Sequence, residues 1–271
     1  MRIGNLMPER LYRGDPLTPD ECEELEEDLI SFCERELDLL GDVRGLDILY
    51  AGGSSLLWLE GLSQRVGEGG SVTALDIHDK NLERTRELLG EAGLASPVRL
   101  AFGDVFEPPF EPCIFDLIYS AGLFHELDVR EKTAEDALAA LASVVRPGGR
   151  VATSDFVDSV PAVQFEDEEI QRRLGREVSG VRPYGIGPPR RLVGLHERYL
   201  RDVRWRVSLP YELRHLDKLI LTEKEPDDLS LLPPDTRERL HERRETFLER
   251  VRREGYTRPA TLYVAGLVPG G

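Results

Sequence analysis

The sequence predicts an α/β protein with a doubly wound, mostly parallel sheet. Three observations predict it. Between residues 46 and 156 short apolar runs alternate with amphipathic helical stretches. The runs are apolar enough to be covered on both faces, as parallel strands are. Turn residues rich in glycine separate the segments, which is the punctuation of strand–helix–strand units joined by right-handed crossovers.

Taken in order, Thr18-Pro19-Asp20-Glu21 is a helix start, with a threonine cap, proline at the first helical position and glutamate three residues on. The helix is expected to run to Leu40, with Leu25, Leu29, Phe32, Leu39 and Leu40 as its apolar stripe and Gly41 as its stop. LDILYA (46–51) is the first strand, ending at Gly52-Gly53, and LLWLEGLSQRV is the helix after it. SVTALDI (71–77) is a strand, NLERTRELLGEAG (81–93) a helix and VRLAFGD (98–104) a strand. FDLIYSA (115–121), a helix over 131–145, a turn at RPGG (146–149) and the strand RVATSDF (150–156) complete the alternation. Residues 157–200 are charged and contain a loop at Gly185-Ile186-Gly187-Pro188-Pro189. VRWRVSL (203–209) is expected as a strand, 235–254 as a helix stopped by Gly255, and TLYVAGLV (261–268) as the last strand.

A chain of 271 residues accommodates one large domain, or a core with an attached cap. It contains no run of the roughly 20 apolar residues that cross a bilayer, and its start lacks a signal-peptide run. A soluble, cytoplasmic protein is expected. The formal charge of −16 argues against general adhesion to nucleic acid or to an anionic membrane. The charge is uneven: residues 1–44 hold thirteen acids and five bases, whereas 170–207 hold ten arginines and three acids. Cys22, Cys33 and Cys113 are too few and too irregularly spaced for a disulfide framework or a zinc site, and His78, His196, His215 and His241 show no metal spacing. No metal is expected.

Ligands of an open parallel sheet bind beyond the carboxyl ends of its strands, where three features of this sequence fall. Gly52-Gly53-Ser54-Ser55 lies between the first strand and its helix, where small residues let the backbone approach a ligand at a helix N-terminus. Asp76, twenty-four residues past Gly52, is placed to accept the hydroxyls of a ribose. Asp104, after Phe102-Gly103, is placed to accept an exocyclic amine such as that of adenine.

Residues 44–156 resemble the class I S-adenosylmethionine-dependent methyltransferases, especially those acting on small molecules. The resemblance rests on RVGEGGSVTALDI, Gly103-Asp104, FDLIYSAGLFHEL (115–127) and VVRPGGRVATSDF (144–156), with a weaker echo in TLYVAG. It implies a Rossmann-like sheet of seven strands divided as follows: an amino-terminal helical segment (1–44), a cofactor-binding core (45–156), a substrate-side cap (157–258) and a final core strand (259–271). It also implies S-adenosylmethionine as cofactor, held by Tyr50, Gly52, Gly53, Ser54, Asp76, Ile77, Asp104, Val105 and Ser120. Ser120 would act through its backbone.

The departure is in the glycine-rich motif, where an acid is followed by glycine at every second position. Aligned without gaps, the acid becomes Tyr50 and the glycines become Gly52, Ser54 and Leu56. The register Asp47-x-Leu49-x-Ala51-x-Gly53 restores the acid but loses two glycines. In the first register Leu56 crowds the cofactor unless it turns into the helix packing, and the lost acid removes about 1–3 kcal/mol of charge-assisted bonding.

His125, after SAGLF, falls where the transferred methyl would lie. It is a general base, a substrate contact, or a packed histidine bonded to backbone. Asp155 resembles the acid that often ends the fifth strand. Arg172, Arg173, Arg182, Arg190 and Arg191 suit an anionic acceptor; the plainer alternatives are neutralisation of the acidic first helix and a solvated helix face. Tyr184 is placed to close the site. The expected function is in-line methyl transfer to a small, anionic metabolite, with homo-oligomerisation left open and nucleic acid disfavoured. The alternative is a non-catalytic binding or assembly protein of the same fold. A nicotinamide-dependent oxidoreductase is disfavoured because GGSSLL lacks the G-x-G-x-x-G spacing.

Overall fold

A computed structural model describes residues 16–90, 94–127, 131–158, 162–180 and 182–270. The first fifteen residues of the amino-terminal segment and the end of the helix expected over 81–93 lie outside the described residues. Seven strands form one sheet in the order β3-β2-β1-β4-β5-β7-β6. They are β1 (Asp47–Ala51), β2 (Ser71–Asp76), β3 (Val98–Phe102), β4 (Phe115–Ala121), β5 (Val145–Val157), β6 (Arg201–Val207) and β7 (Ala260–Leu267). The first five are parallel, while β7 runs antiparallel to both β5 and β6. This is the Rossmann-like architecture expected from the sequence.

Side chains alternate across each strand, and β1 shows how that builds two core layers. Ile48 and Tyr50 enter a cluster with Cys33 and Leu37 of helix α1 (Pro19–Asp38) and with Leu59, Leu62 and Val66 of helix α2 (Leu56–Val66). Leu49 and Ala51 enter the opposite cluster, with Leu138 and Leu141 of α4 (Ala134–Ser143) and with Leu192 and Leu195 of α6 (Pro189–Tyr199). Helix α3 (Asp79–Leu89) follows β2.

The capping box of α1 forms as expected. Thr18 Oγ1 accepts from the Glu21 N–H at 3.3 Å, and the Glu21 carboxylate accepts from the Thr18 N–H at 3.0 Å. The expected turn at RPGG is instead part of β5, whose register against β4 shifts between Phe115 and Leu117. A bulge absorbs the turn residues without ending the strand.

The segment after β5 divides. Helix α6 buries Leu192, Val193 and Leu195 against the sheet and β6 joins its edge, so both belong to the core. The cap consists of α5 (Val163–Ser179), α7 (Leu216–Thr222) and α8 (Pro234–Glu254), held by Val163, Ile170, Ile220, Phe247, Leu248 and Val251. Leu17 and Leu25 bury against Leu213 and Leu219, which fastens α1 to the cap.

Charge pairing follows the same contact. Arg214 pairs with Glu27 and Asp28, His215 with Glu24, and Lys218 with Glu21, while Arg65 meets Glu34 and Asp38. Among the described residues the acidic helix is therefore neutralised from α2 and from residues 214–218, not from the arginines of 170–207. Exposed pairs of this kind contribute about 0–1 kcal/mol each.

Gly70 enters β2 where no side chain fits: a Cβ there would lie 2.3 Å from the Leu46 carbonyl oxygen and 2.8 Å from the Leu46 nitrogen. Gly70→Ala is expected to cost about 1–3 kcal/mol through overpacking against backbone. Thermal unfolding reads this as a fall of several degrees.

Candidate active site

The chain leaves β1 at Gly52, with φ of +85°, and the N–H groups of Gly52 and Gly53 both donate to the Leu75 carbonyl at 2.9 and 3.0 Å. These amides are spent inside the protein, so the loop offers a ligand space rather than donors. A Cβ on Gly52 would lie 2.4 Å from Leu123 Cδ1. Glycine is thus required here both for its left-handed conformation and for the close approach of Leu123.

Beyond these strand ends lies a cavity of about 700 Å³. Gly52, Gly53, Asp76, Ile77, Asp104 and Val105 line it, together with His78, Asn81, Phe106, Leu123, Glu126 and Lys132. Six of the sequence-expected cofactor residues are therefore brought to one cavity. Asp76 is 5% exposed and is held on three sides. Its Oδ2 accepts from Ser54 Oγ at 2.8 Å and Asn81 Nδ2 at 3.3 Å, and its Oδ1 accepts from the His78 N–H at 2.8 Å. Asp104 Oδ1 accepts from the Phe106 N–H at 2.9 Å, which fixes the turn after β3.

Three expected residues stand behind the wall instead. Ser54 is buried against Asp76, and its own carbonyl accepts from Thr85 Oγ1 at 2.6 Å. It positions the acid rather than lining the cavity. Tyr50 packs between Trp58 and Tyr119, with ring centroids 6.4 and 6.2 Å away, and burial pushes its hydroxyl well above the ordinary tyrosine range. It supplies no charge in place of the acid. Ser120 is buried inside the sheet, where its hydroxyl donates to Thr153 Oγ1 at 3.1 Å. Leu56 is also buried and lines neither large cavity, so it does not crowd the site.

A second cavity, of about 470 Å³, opens at the ends of β4 and β5 and shares Glu126 with the first. Its apolar side is Leu29 and Phe32 of α1, Leu57 and Trp58 of α2, and Phe156. Its polar side includes Glu36, His125, Asp155, Glu168 and Arg258. The reversal of β7 explains Arg258: Ala260 pairs with Val157, so residues entering β7 meet the carboxyl ends of the parallel strands.

His125 is 6% exposed in the 3-10 turn Phe124–Glu126. Its Nδ1 bonds Asp155 Oδ1 at 2.7 Å, and its Nε2 lies 3.7 Å from Glu126 and 3.9 Å from Glu168 carboxylate oxygens. Burial disfavours the charged ring, but the Asp155 carboxylate outweighs it, aided by Glu168 and Glu126, and the pKa is pushed up to about 9. At neutral pH the ring is an imidazolium. It donates to Asp155 and presents its other N–H to the cavity, which suits a contact to an electron-rich atom better than proton removal. The turn is clamped from the segment between α5 and α6, where the N–H groups of Tyr184 and Gly185 donate to the Leu127 and His125 carbonyls, each at 2.8 Å.

The arginine-rich stretch is dispersed. Arg172 pairs with Glu169, Arg198 with Glu135, and Arg191 lies 3.6 Å over the Tyr184 ring, while Arg173, Arg182 and Arg190 are exposed. His196 is fully buried, its Nδ1 against the Leu192 carbonyl and its Nε2 against Thr153 Oγ1, and burial lowers its pKa to about 4. Among the described residues no three His, Cys, Asp or Glu side chains are grouped to hold a metal ion, and no helix is long and apolar enough to cross a membrane. Sequence reading missed Asn81, Phe106, Glu36, Glu168 and Arg258. The only local signal was the placing of Arg258 just before the final strand.

A sequence profile for the methyltransferase domain matches residues 48–149, the segment that carries Gly52, Asp76, Asp104 and His125. That segment is similar to the class I S-adenosylmethionine-dependent methyltransferases. A ubiquinone/menaquinone biosynthesis C-methyltransferase of Idiomarina loihiensis is 35% identical over 150 residues, covering 53% of this chain and 57% of the relative. The chain spans about half the length of the curated relatives it matches. Among solved structures, geranyl diphosphate methyltransferase in complex with S-adenosylmethionine superposes with a TM-score of 0.55 at 15% identity, covering 96% of this chain and 98% of the other. Phosphoethanolamine N-methyltransferase 2 of Haemonchus contortus, also with S-adenosylmethionine, gives 0.52 at 15% identity, covering 88% of this chain and 52% of the other. At such identities these structures speak for the fold.

Proposed function

We propose that this chain transfers a methyl group from S-adenosylmethionine to a small-molecule acceptor. The observation that carries the reading is the pair of adjoining cavities sharing Glu126, one bordered by Asp76 and Asp104 and the other by His125. The first cavity fits an adenosyl group. Its volume is ample, Gly52 and Gly53 leave its floor bare, and its two acids are acceptors matched to ribose hydroxyls and to the adenine amine. When bound, the cofactor supplies a methyl carbon on a positively charged sulfur. The chain's own part is to align and to exclude water: Leu123 and Phe106 wall the nucleoside side, and the cap with α1 covers the acceptor side. The non-catalytic alternative drew on the eroded glycine motif, yet Leu56 is turned away and the cavity stays open.

An anionic acceptor in a cytoplasmic setting is part of the proposal. It is supported by the Arg258 guanidinium, which faces the second cavity and forms no ion pair among the described residues, whereas the His125 ring is already paired with Asp155. Incubation with methyl-labelled S-adenosylmethionine and a panel of small carboxylic and phenolic acids tests the reading. Label is expected in an acid, with S-adenosylhomocysteine as co-product. Failure of every acceptor, with no binding of the cofactor at millimolar concentration, contradicts it.

Ser54→Ala removes one of the donors that hold Asp76. S-adenosylhomocysteine affinity is expected to fall by about 0.5–1.5 kcal/mol, a several-fold rise in Kd by calorimetry, with the fold unchanged.

A further inference from the structure

Among the described residues, two opposite charges face the second cavity without an ion-pair partner. The Arg258 guanidinium lies 4.9 Å from the ring centroids of both Phe32 and Phe156. Its Nε is shut off from solvent with no hydrogen-bond partner, and among the described residues the side chain forms no ion pair. Burial pulls its pKa below the ordinary arginine value, opposed by Tyr256, Glu168 and Glu36. Across the same cavity Glu36 is 3% exposed. Its Oε1 accepts from Thr261 Oγ1 at 3.0 Å, while its Oε2 is buried and unpartnered. Gln164 Oε1 and Ser154 Oγ are buried without partners on the same lining.

A buried guanidinium without an anion is costly, and so is a carboxylate oxygen without a donor. Folding α1 against the residues that enter β7 holds both groups in place, and the hydrogen bond to Thr261 fixes Glu36 from the strand itself. A ligand that satisfies both must present an oxygen acceptor to the planar donor fork of arginine and an N–H or O–H to the carboxylate.

We propose that Arg258 and Glu36 together bind an amphoteric group, an oxyanion carried a few bonds from an N–H or O–H donor, as in an α-amino or α-hydroxy carboxylate. The proposal rests on reading the second cavity as part of a methyl-transfer site. Such a group has two sources: the amino-acid tail of the cofactor, and the acceptor. A site for a simple anion leaves Glu36 as a like charge facing it, and a site for a simple cation leaves Arg258 unpaired.

Calorimetry on the full chain separates the sources. The probes are S-adenosylhomocysteine, 5′-methylthioadenosine (which lacks the tail), and phenyllactate and phenylalanine with their methyl esters. If the tail is the ligand, Arg258→Met and Glu36→Gln each weaken S-adenosylhomocysteine at least tenfold and leave 5′-methylthioadenosine unchanged. If the acceptor is the ligand, the wild type saturated with S-adenosylhomocysteine prefers an acid to its ester at least tenfold, and Arg258→Met abolishes that preference. Unchanged affinity for S-adenosylhomocysteine in both variants, with no acid-over-ester preference in the wild type, overturns the proposal. Retained 5′-methylthioadenosine binding shows that a variant is folded. A wild type that binds neither nucleoside defeats instead the methyltransferase reading beneath it.

Discussion

Replacing Asp155 with asparagine is expected to lower stability by about 3–5 kcal/mol at neutral pH, the cost of breaking a buried pair by removing one partner. Asp155 is 2% exposed, and it accepts from the Phe124 N–H at 2.6 Å, the Phe156 N–H at 2.7 Å and His125 Nδ1 at 2.7 Å. An amide retains one acceptor oxygen, turns its NH₂ toward one of these donors, and leaves the buried imidazolium without its counter-charge. The pH dependence has a definite sign. His125 titrates at about 9 in the folded protein, above its unfolded value of about 6.5. Its pairing therefore stabilises fully below about pH 6.5 and is lost as pH rises through about 9. Denaturant unfolding of wild type and Asp155→Asn is expected to show a gap that is widest near pH 6 and narrows toward pH 10 (roughly one unit either side of these two pKa values). A constant gap means that Asp155 does not hold the charge on His125. Turnover distinguishes the roles of the ring, since a donor loses activity as pH rises through 9, whereas a base gains it.

Asp76→Ala carries the second large effect. S-adenosylhomocysteine binding is expected to weaken by about 1–3 kcal/mol, a rise in Kd of roughly five- to 150-fold at 1.4 kcal/mol per decade. The loss has two parts. The ribose hydroxyls lose their acceptor, and Ser54, His78 and Asn81, which now bond the carboxylate, lose theirs. Because Ser54→Ala removes only one of those donors, its effect must be the smaller of the two. Unaltered affinity in Asp76→Ala would make this residue purely structural.

The strands were legible because each is a compact apolar run, and α1 because its capping box is local. The RPGG segment misled because a bulge and a turn draw on the same residues, and only pairing with β4 and β7 decides between them. Helix α5 was hidden by its charges, since only Val163, Ile170 and Leu174 are buried along its length. In the site, Gly52, Asp76 and Asp104 could be read because strand ends fall at predictable places in a parallel sheet. Tyr50 and Ser120 share those strand ends, but pleat direction and packing turn the first into the α2 layer and hold the second within the sheet. Glu36 and Arg258 were out of reach of local reasoning. They stand far apart in sequence, and only the antiparallel course of β7 and the docking of α1 bring them to one cavity.

The most direct test is a crystal structure of the chain grown with S-adenosylhomocysteine. The nucleoside is expected in the cavity beyond β1, β2 and β3, with its ribose hydroxyls on the Asp76 carboxylate, its adenine beside Asp104, and its sulfur toward Glu126 and the second cavity. Density for the nucleoside elsewhere on the molecule, with the Asp76 carboxylate still bonded only to Ser54, His78 and Asn81, would contradict the account.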